Sequence, residues 1–457
     1  MSSPKKLRLF TGIGLVIANM IGAGVFLSAG FMAQDLGPMT IMLAWVVGAL
    51  LALTGTLTYA GVIEVLPKSG GEYRFLSDLL HPWVGYVAGW ASLLIGFAGP
   101  IAVDAIAAGC FLQTIFPVVQ PILVGVVVII GLTMLHAFDL SLSKWTQNWL
   151  VSIKVLLVIV FVVLGLSAGS HSFPDWSPPA VSEGFPLAPF MASLFYIAFA
   201  FSGWNAAVYA AEEFEKPKRD VSRAMFIGCL VVALLYLLVN WVFVANINPE
   251  SASIVFSYDT ERLTLGHVLM SDLIGDVGGK VMSGFLVVAF LSATSAMVFA
   301  GPRVYAAMAK DGYLPSMLQA KEGKPPVGSV LLQGAIALVI LFTQNLQDIL
   351  HDIGAVLTLF SALTAASLLW VCYKRRGSIA VSPVKMTAAV VFIISTAYMF
   401  YFGLQADTNL LLWIALIVLV ASFGYFVSRR FVATSENIED APVLARLRAE
   451  DETDEET

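Results

Sequence analysis

The sequence is poor in charge. Asp, Glu, Lys and Arg together make up 12% of its 457 residues, against 58% for hydrophobic types. Soluble domains carry about a quarter charged residues, so a water-soluble reading would require several apolar runs of about 20 residues buried in one core. Cysteine is scarce too. Cys110, Cys229 and Cys372 all lie in apolar segments, which reads as buried thiols and not as a disulfide framework. The five histidines, His81, His136, His171, His267 and His351, fall near helix ends or in loops without metal-ligand spacing. No Ser-His-Asp, Cys-His or HExxH arrangement is present, so the residues offer no enzyme chemistry and call for no metal or cofactor. No basic face points to nucleic acid. The net charge of −6 is unevenly placed, with much of the acid between Glu436 and Glu456. A cleavable leader is not read either: the apolar run from Leu9 is long and lacks a small-residue cleavage site, so it is taken as a spanning helix.

What the chain does have is long apolar runs, and 37 glycines and 30 phenylalanines over its length. Spanning helices need about 20 apolar residues. They are placed at 10–31, 39–65, 83–111, 121–138, 146–168, 189–211, 223–247, 279–309, 327–344, 352–373, 385–404 and 409–428. The third and eighth are long enough to tilt or to extend beyond the bilayer. The expectation is an all-α polytopic membrane protein with about twelve transmembrane helices, in contact with lipid.

Lysine and arginine orient it. Of the 25 such residues, Lys154 lies inside a helix and Arg262 and Lys280 lie in one loop; the other 25 − 3 = 22 fall on a single side. That side includes Lys5, Lys68, Arg74, Lys144, Lys216, Arg303, Lys310, Lys374 and Arg429. A wrong helix count would scramble this sorting. It therefore supports an even count, a cell-membrane location and cytoplasmic termini. The loop from Asn248 to Gly278 is long and mixed, and is read as holding short surface helices. The division is 1–9 cytoplasmic, 10–168 a first repeat, 189–373 a second, 385–428 two further helices, and 431–457 an acidic tail read as disordered.

Two spans contain a weak point. The first holds Met20-Ile21-Gly22-Ala23-Gly24-Val25-Phe26 near its middle. Glycine there weakens a helix by about 1 kcal/mol relative to alanine, and small residues also permit close helix packing. The sixth holds Phe199-Ala200-Phe201-Ser202-Gly203-Trp204-Asn205. Either run alone is equally well read as packing. They occupy corresponding positions five helices apart and run in opposite senses. That is the pattern of a 5+5 inverted repeat with a substrate site at two broken helices. A half-helix N-terminus suits a carboxylate and unwound carbonyls suit an ammonium. An α-amino acid carries both.

Two charges stand in apolar surroundings. Lys154, in the middle of the fifth span, costs roughly 2.5–3.5 kcal/mol on insertion scales and is a functional candidate by default. It lies about two helical turns from the nearest edge, too far for easy snorkelling. It would hold a fixed charge or titrate. Asp104, after Gly99-Pro100 in the third span, has three open readings: contact with substrate or a proton site, pairing with a lysine, or facing water near the outer end. Glu212 and Glu213 close the sixth span and are read as gate or loop partners of arginines.

Four stretches now carry a resemblance. They are Ile21-Gly22-Ala23-Gly24-Val25-Phe26, Pro67-Lys68-Ser69-Gly70-Gly71-Glu72-Tyr73, Phe201-Ser202-Gly203-Trp204-Asn205 with Glu212-Glu213, and Arg303-Val304-Tyr305 through Met308-Ala309-Lys310-Asp311-Gly312-Tyr313-Leu314-Pro315. In this order they resemble the amino acid–polyamine–organocation transporters, and among them the L-type neutral amino acid exchangers and their bacterial relatives. The resemblance implies the leucine-transporter fold with two added helices. It implies that the Ala23 and Gly24 N–H groups bind the substrate carboxylate, with Met20, Ile21 and Gly22 beside them. The amine would meet carbonyls of Phe199, Ala200 and Ser202, next to Gly203. Phe199 would close over the site as a gate, with Trp204 a second gating aromatic. Lys154, after Gln147, would stand in for sodium. At Ala23 many members carry serine, so one side-chain hydrogen bond to the carboxylate is missing here. Animal members use a cysteine between the third and fourth helices to bond an accessory glycoprotein; Phe116-Pro117-Val118-Val119-Gln120 has none, so no disulfide-linked subunit is expected. The activity implied is sodium-independent exchange of neutral L-amino acids. Proton-coupled symport, a cationic amino acid or polyamine exchanger, and a transporter-like sensor are the alternatives.

Overall fold

Lipid offers backbone amides no partner, so each crossing segment must close its own hydrogen bonds. The computed structural model describes residues 6–138, 140–174, 184–247, 265–320, 324–343, 346–374, 381–406 and 409–432. The acidic tail, the loop residues 248–264 and the N-terminal five residues lie outside them. Among the described residues every regular element is helical, apart from one isolated bridge between Leu7 and Phe214.

The first crossing is two helices, α1 (Leu9–Met20) and α2 (Ala23–Met32). Then come α3 (Pro38–Val65), the short α4 (Gly71–Leu79), and α5 (Pro82–Ala91), which continues through a π-helical segment (Ser92–Ala98) into α6 (Gly99–Ile115). Pro100, the second residue of α6, lacks the N–H that a helix continuing from α5 would use, and the π-helical segment directly before it widens the helix there. Next are α7 (Pro121–Phe138), α8 (Leu140–Ala168) and α9 (Leu187–Ala200). After a turn, a 3-10 helix (Ala206–Glu213) leads to α10 (Pro217–Asn246). The remainder is α11 (Leu265–Ile274), α12 (Asp276–Ala300), α13 (Pro302–Lys310), α14 (Val327–Thr343), α15 (Leu346–Lys374), α16 (Pro383–Ala406) and α17 (Asn409–Val432). The short α11 falls in the loop expected to hold surface helices.

Among the described residues, ten stretches are long and apolar enough to cross a membrane, including Pro82–Ile115 and Asp276–Lys310 at 34 and 35 residues. The sixth and ninth expected spans are shorter apolar helices, α9 and α14. The expected sixth span at 189–211 is corrected. It is not one helix: α9 stops at Ala200, and Gly203 takes a positive φ of 96° that no helix accommodates. Large apolar side chains point outward on the peripheral helices, among them Val127, Leu156, Val163, Leu412 and Phe423. In water this would be a liability; in a bilayer it is the lipid contact. The three cysteines are free thiols, Cys229 buried and the other two partly so.

At the centre, α1 and α3 pack on α10, and α6 on α12, so the two halves interleave. Glycine permits the closest approach. A Cβ on Gly24 would lie 2.5 Å from the Ala200 Cα, and one on Gly203 would lie 2.9 Å from the Asn19 backbone. Gly22 is different: its φ of −141° is open to any residue, and a Cβ there meets nothing closer than 3.4 Å. Packing is therefore the reason for Gly24, and both packing and backbone conformation are reasons for Gly203. Gly203→Ala is expected to lower stability by about 1–3 kcal/mol, read as a depressed unfolding temperature of the purified protein, whereas Gly22→Ala leaves it nearly unchanged.

Candidate functional site

Breaking α1 from α2 strands the last carbonyls of one helix and the first N–H groups of the other. Three side chains from three other helices meet them. The Lys154 ammonium, fully buried, donates to the Ala18 carbonyl at 2.8 Å and the Ile21 carbonyl at 2.6 Å. The Tyr236 hydroxyl donates to the Met20 carbonyl at 2.6 Å. Asp104, 1% exposed, accepts the Ala23 N–H on Oδ1 at 2.8 Å. Each charge matches the dipole end it touches: cation at the C-terminus of α1, anion at the N-terminus of α2. Asp104 is thus shielded from water, and it bears on Lys154 through their opposite charges without an ion-pair contact.

The sixth-span break joins this arrangement. Tyr236 also donates to the Ala200 carbonyl at 3.0 Å, so one hydroxyl ties both breaks. The Ser202 N–H bonds the Phe199 carbonyl at 2.9 Å. Of the carbonyls expected to hold an amine, those of Phe199 and Ala200 therefore already have donors. Met20, Ile21, Gly22, Ala23 and Gly24 are all buried beside them. Ser202, Gly203 and Trp204 line a narrow cavity together with Asn19 and Phe201, while Phe199 and Ala200 sit behind its wall. Trp204 packs edge-on to Tyr59, ring centroids 4.6 Å apart.

Only one acidic side chain lines this cavity. Glu72 is buried, and both its oxygens are taken. Tyr59 and Asn205 donate to Oε1 at 2.7 and 2.5 Å, and Tyr209 to Oε2 at 3.1 Å. Tyr209 lines this cavity and also a second one of about 710 Å³, which opens among Arg74, Glu213, Arg303, Lys310 and Lys324. That basic end is laced by ion pairs. Arg74 meets Asp311 at 2.7 Å, and Lys68 meets Asp78 at 3.0 Å. Burial, and then the Asp311 carboxylate, push the Tyr73 hydroxyl well above its ordinary pKa, so it stays a donor to Asp311 at 2.5 Å. The expected arginine partners of the glutamate pair hold for one of the two: Glu213 lies 3.9 Å from Arg303, but Glu212 exchanges hydrogen bonds with Ser69. At the opposite end all ten residues of α2 are buried. Among the described residues no cluster suits a metal ion.

Comparison with known proteins fits this architecture. The sequence pattern of the family described as amino acid permease matches residues 7–426. The chain belongs to the amino acid permease family. It is 23% identical to the large neutral amino acids transporter small subunit 2 of Mus musculus over 416 residues, 88% of this chain and 77% of the relative. It is 26% identical to the human cystine/glutamate transporter over 391 residues, 81% and 74% of the two chains. It is 27% identical to the serine/threonine exchanger SteT of Bacillus subtilis over 355 residues, 75% and 77% of the two chains. The protein is an amino acid transporter of this family and not an enzyme.

Two permease residues at the heart of the structure escape a reading of site motifs. Tyr236 stands in a plain leucine-rich helix; its only signal is a hydroxyl at membrane depth, which must find a partner. Glu72 belongs to a motif but not to a break, and only the fold brings Asn205 and Tyr209 to it. Tyr236→Phe leaves two buried carbonyls without this donor. It is expected to lower stability by about 1–3 kcal/mol and substrate exchange at least severalfold, read in reconstituted vesicles against the same amount of folded protein.

Proposed function

We propose that the protein exchanges neutral L-amino acids across the cell membrane, independently of sodium, by alternating access. The observation that carries this is the Lys154 ammonium on the Ala18 and Ile21 carbonyls. Unwound carbonyls of this kind coordinate a sodium ion in transporters with broken helices, and a cation permanently attached to the protein makes a dissolved one unnecessary. Charge in the cavity supports neutral cargo. Its single carboxylate, Glu72, is spent on three donors within the protein, so no free acid waits for a cationic side chain. Two of the relatives' names support it, one for large neutral amino acids and one for serine/threonine exchange, while the third names cystine and glutamate.

The substrate carboxylate would sit at the N-terminus of α2 on the N–H groups that follow Ala23, beginning with Gly24, since Asp104 already accepts the Ala23 N–H, with the amine toward Ser202 and Gly203. Phe199 and Trp204 would act as gates. The segments 10–168 and 189–373 form the two inverted repeats in this reading, and 385–428 stands outside them. In this reading the basic end and both termini are cytoplasmic, by lysine and arginine placement, and the wider cavity at that end faces inward. The turn at 116–120 offers no cysteine, and no disulfide-linked subunit is part of the proposal.

Purified protein in vesicles preloaded with unlabelled L-alanine, L-serine and L-leucine is expected to take up the labelled forms equally with and without sodium, and empty vesicles are expected to take up little. Sodium dependence, or equal uptake into empty vesicles, would refute the proposal.

A further inference from the structure

The carboxylate subsite just described already holds a carboxylate. Asp104 Oδ1 takes the first free N–H of α2, at Ala23. Its Oδ2 is buried and has no hydrogen-bond partner among the described residues. A Cβ built on Gly22 would lie 3.5 Å from each of the two oxygens, so the carboxyl group rests directly on the Gly22–Ala23 link. An incoming amino acid carboxylate at the neighbouring N–H groups would abut Oδ2.

Two carboxylates sharing one buried site do not both stay ionised; one takes a proton. The surroundings supply no second cation to prevent this. Lys154 and Tyr236 are the charged and titratable groups that bear on Asp104, and both are engaged with α1 carbonyls. Among the described residues, the helices packed on α6 bring no other charge to this point. On α12, Asp276 pairs with Lys280 at the far end; His136 of α7 bonds Ser295; His351 and Asp352 of α15 face each other at 3.7 Å; α2 and α14 carry no titratable side chain.

We propose that Asp104 takes up a proton each time a carboxylate-bearing substrate binds, so that every amino acid occupies the site together with one proton. The neutral acid then donates from Oδ2 to the substrate carboxylate and still accepts from the Ala23 N–H on Oδ1. The proton comes from the solution on the side of substrate entry and leaves with the substrate on the other, where Asp104 is again ionised. One-for-one exchange therefore moves no net proton. The inference rests on the neutral amino acid reading above and adds the protonation state in which that cargo is held.

The test is calorimetric binding of L-alanine, L-serine and L-leucine to the full-length protein in lipid nanodiscs, in buffers of different ionisation enthalpy. Wild-type protein is expected to take up about one proton per amino acid, and its affinity to weaken about tenfold per pH unit above the Asp104 titration. Asp104→Asn keeps the acceptor for Ala23 and offers a permanent N–H donor in place of Oδ2–H, so its affinity is expected to be flat with pH. Binding without proton uptake and with no pH dependence in the wild type overturns the inference and leaves neutral amino acid exchange standing. A pH dependence equally steep in Asp104→Asn also overturns it. Binding of none of the three amino acids at any pH removes the function on which the inference rests, and the inference with it. The proton count on the wild type decides the matter even if the variant does not fold.

Discussion

An interrupted helix at membrane depth leaves polar backbone where no lipid atom can satisfy it, and in this protein the whole central arrangement answers that demand. The gap between Met20 and Ala23 is closed by an ammonium, a hydroxyl and a carboxylate, reaching in from α8, α10 and α6. Each of these groups would be unfavourable in the bilayer alone. Placed on the broken ends they stabilise one another through the backbone: cation against free carbonyls, anion against a free N–H. Neither charge needs to touch the other for the pair to be tolerated, because the half-helix dipoles lie between them.

The same demand couples the two breaks. Tyr236 holds a carbonyl of each, and the glycines at 24 and 203 bring α9 and its following turn against the first crossing with no side chain between. Two weak points thus become one hinge region, tied to a scaffold of continuous helices. On the basic side of it, Glu72 gathers donors from α3 and from the segment after the sixth-span break. It stands at the wall, shared through Tyr209, between the narrow inner cavity and the wider one beyond. Movement of the broken segments has to reorganise this cluster, because Asn205 and Tyr209 belong to them.

Much of this was legible from residue order. Apolar run length gave the crossings, and the two Gly-containing runs marked the breaks as a pair, because they occupy corresponding positions five helices apart in opposite senses. Lys154 announced itself as a charge too deep to snorkel. The sixth crossing was drawn as one helix because hydrophobicity continues through Phe201 and Ala206; backbone conformation at Gly203, not polarity, ends α9. Asp104 could not be assigned from its own helix, since its role depends on which neighbour it faces. Tyr236 carried no pattern at all, and Glu72 sits in the first turn of the short α4, more than 130 residues in the chain from its partners Asn205 and Tyr209.

Sequence alone determined the quantities that are local or additive: how many segments can cross, which end gathers the positive charge, where a helix is weakest, and which charges lie too deep to be accidental. Those follow from transfer of side chains and backbone between water and lipid, and each segment settles its own account. Tertiary structure decided who satisfies whom. Lys154 and Asp104 cap opposite ends of one gap, a single tyrosine spans two breaks, and Glu72 is consumed internally, because buried polar groups are obliged to find partners wherever packing places them. That choice is made between helices distant in sequence, and no spacing along the chain encodes it.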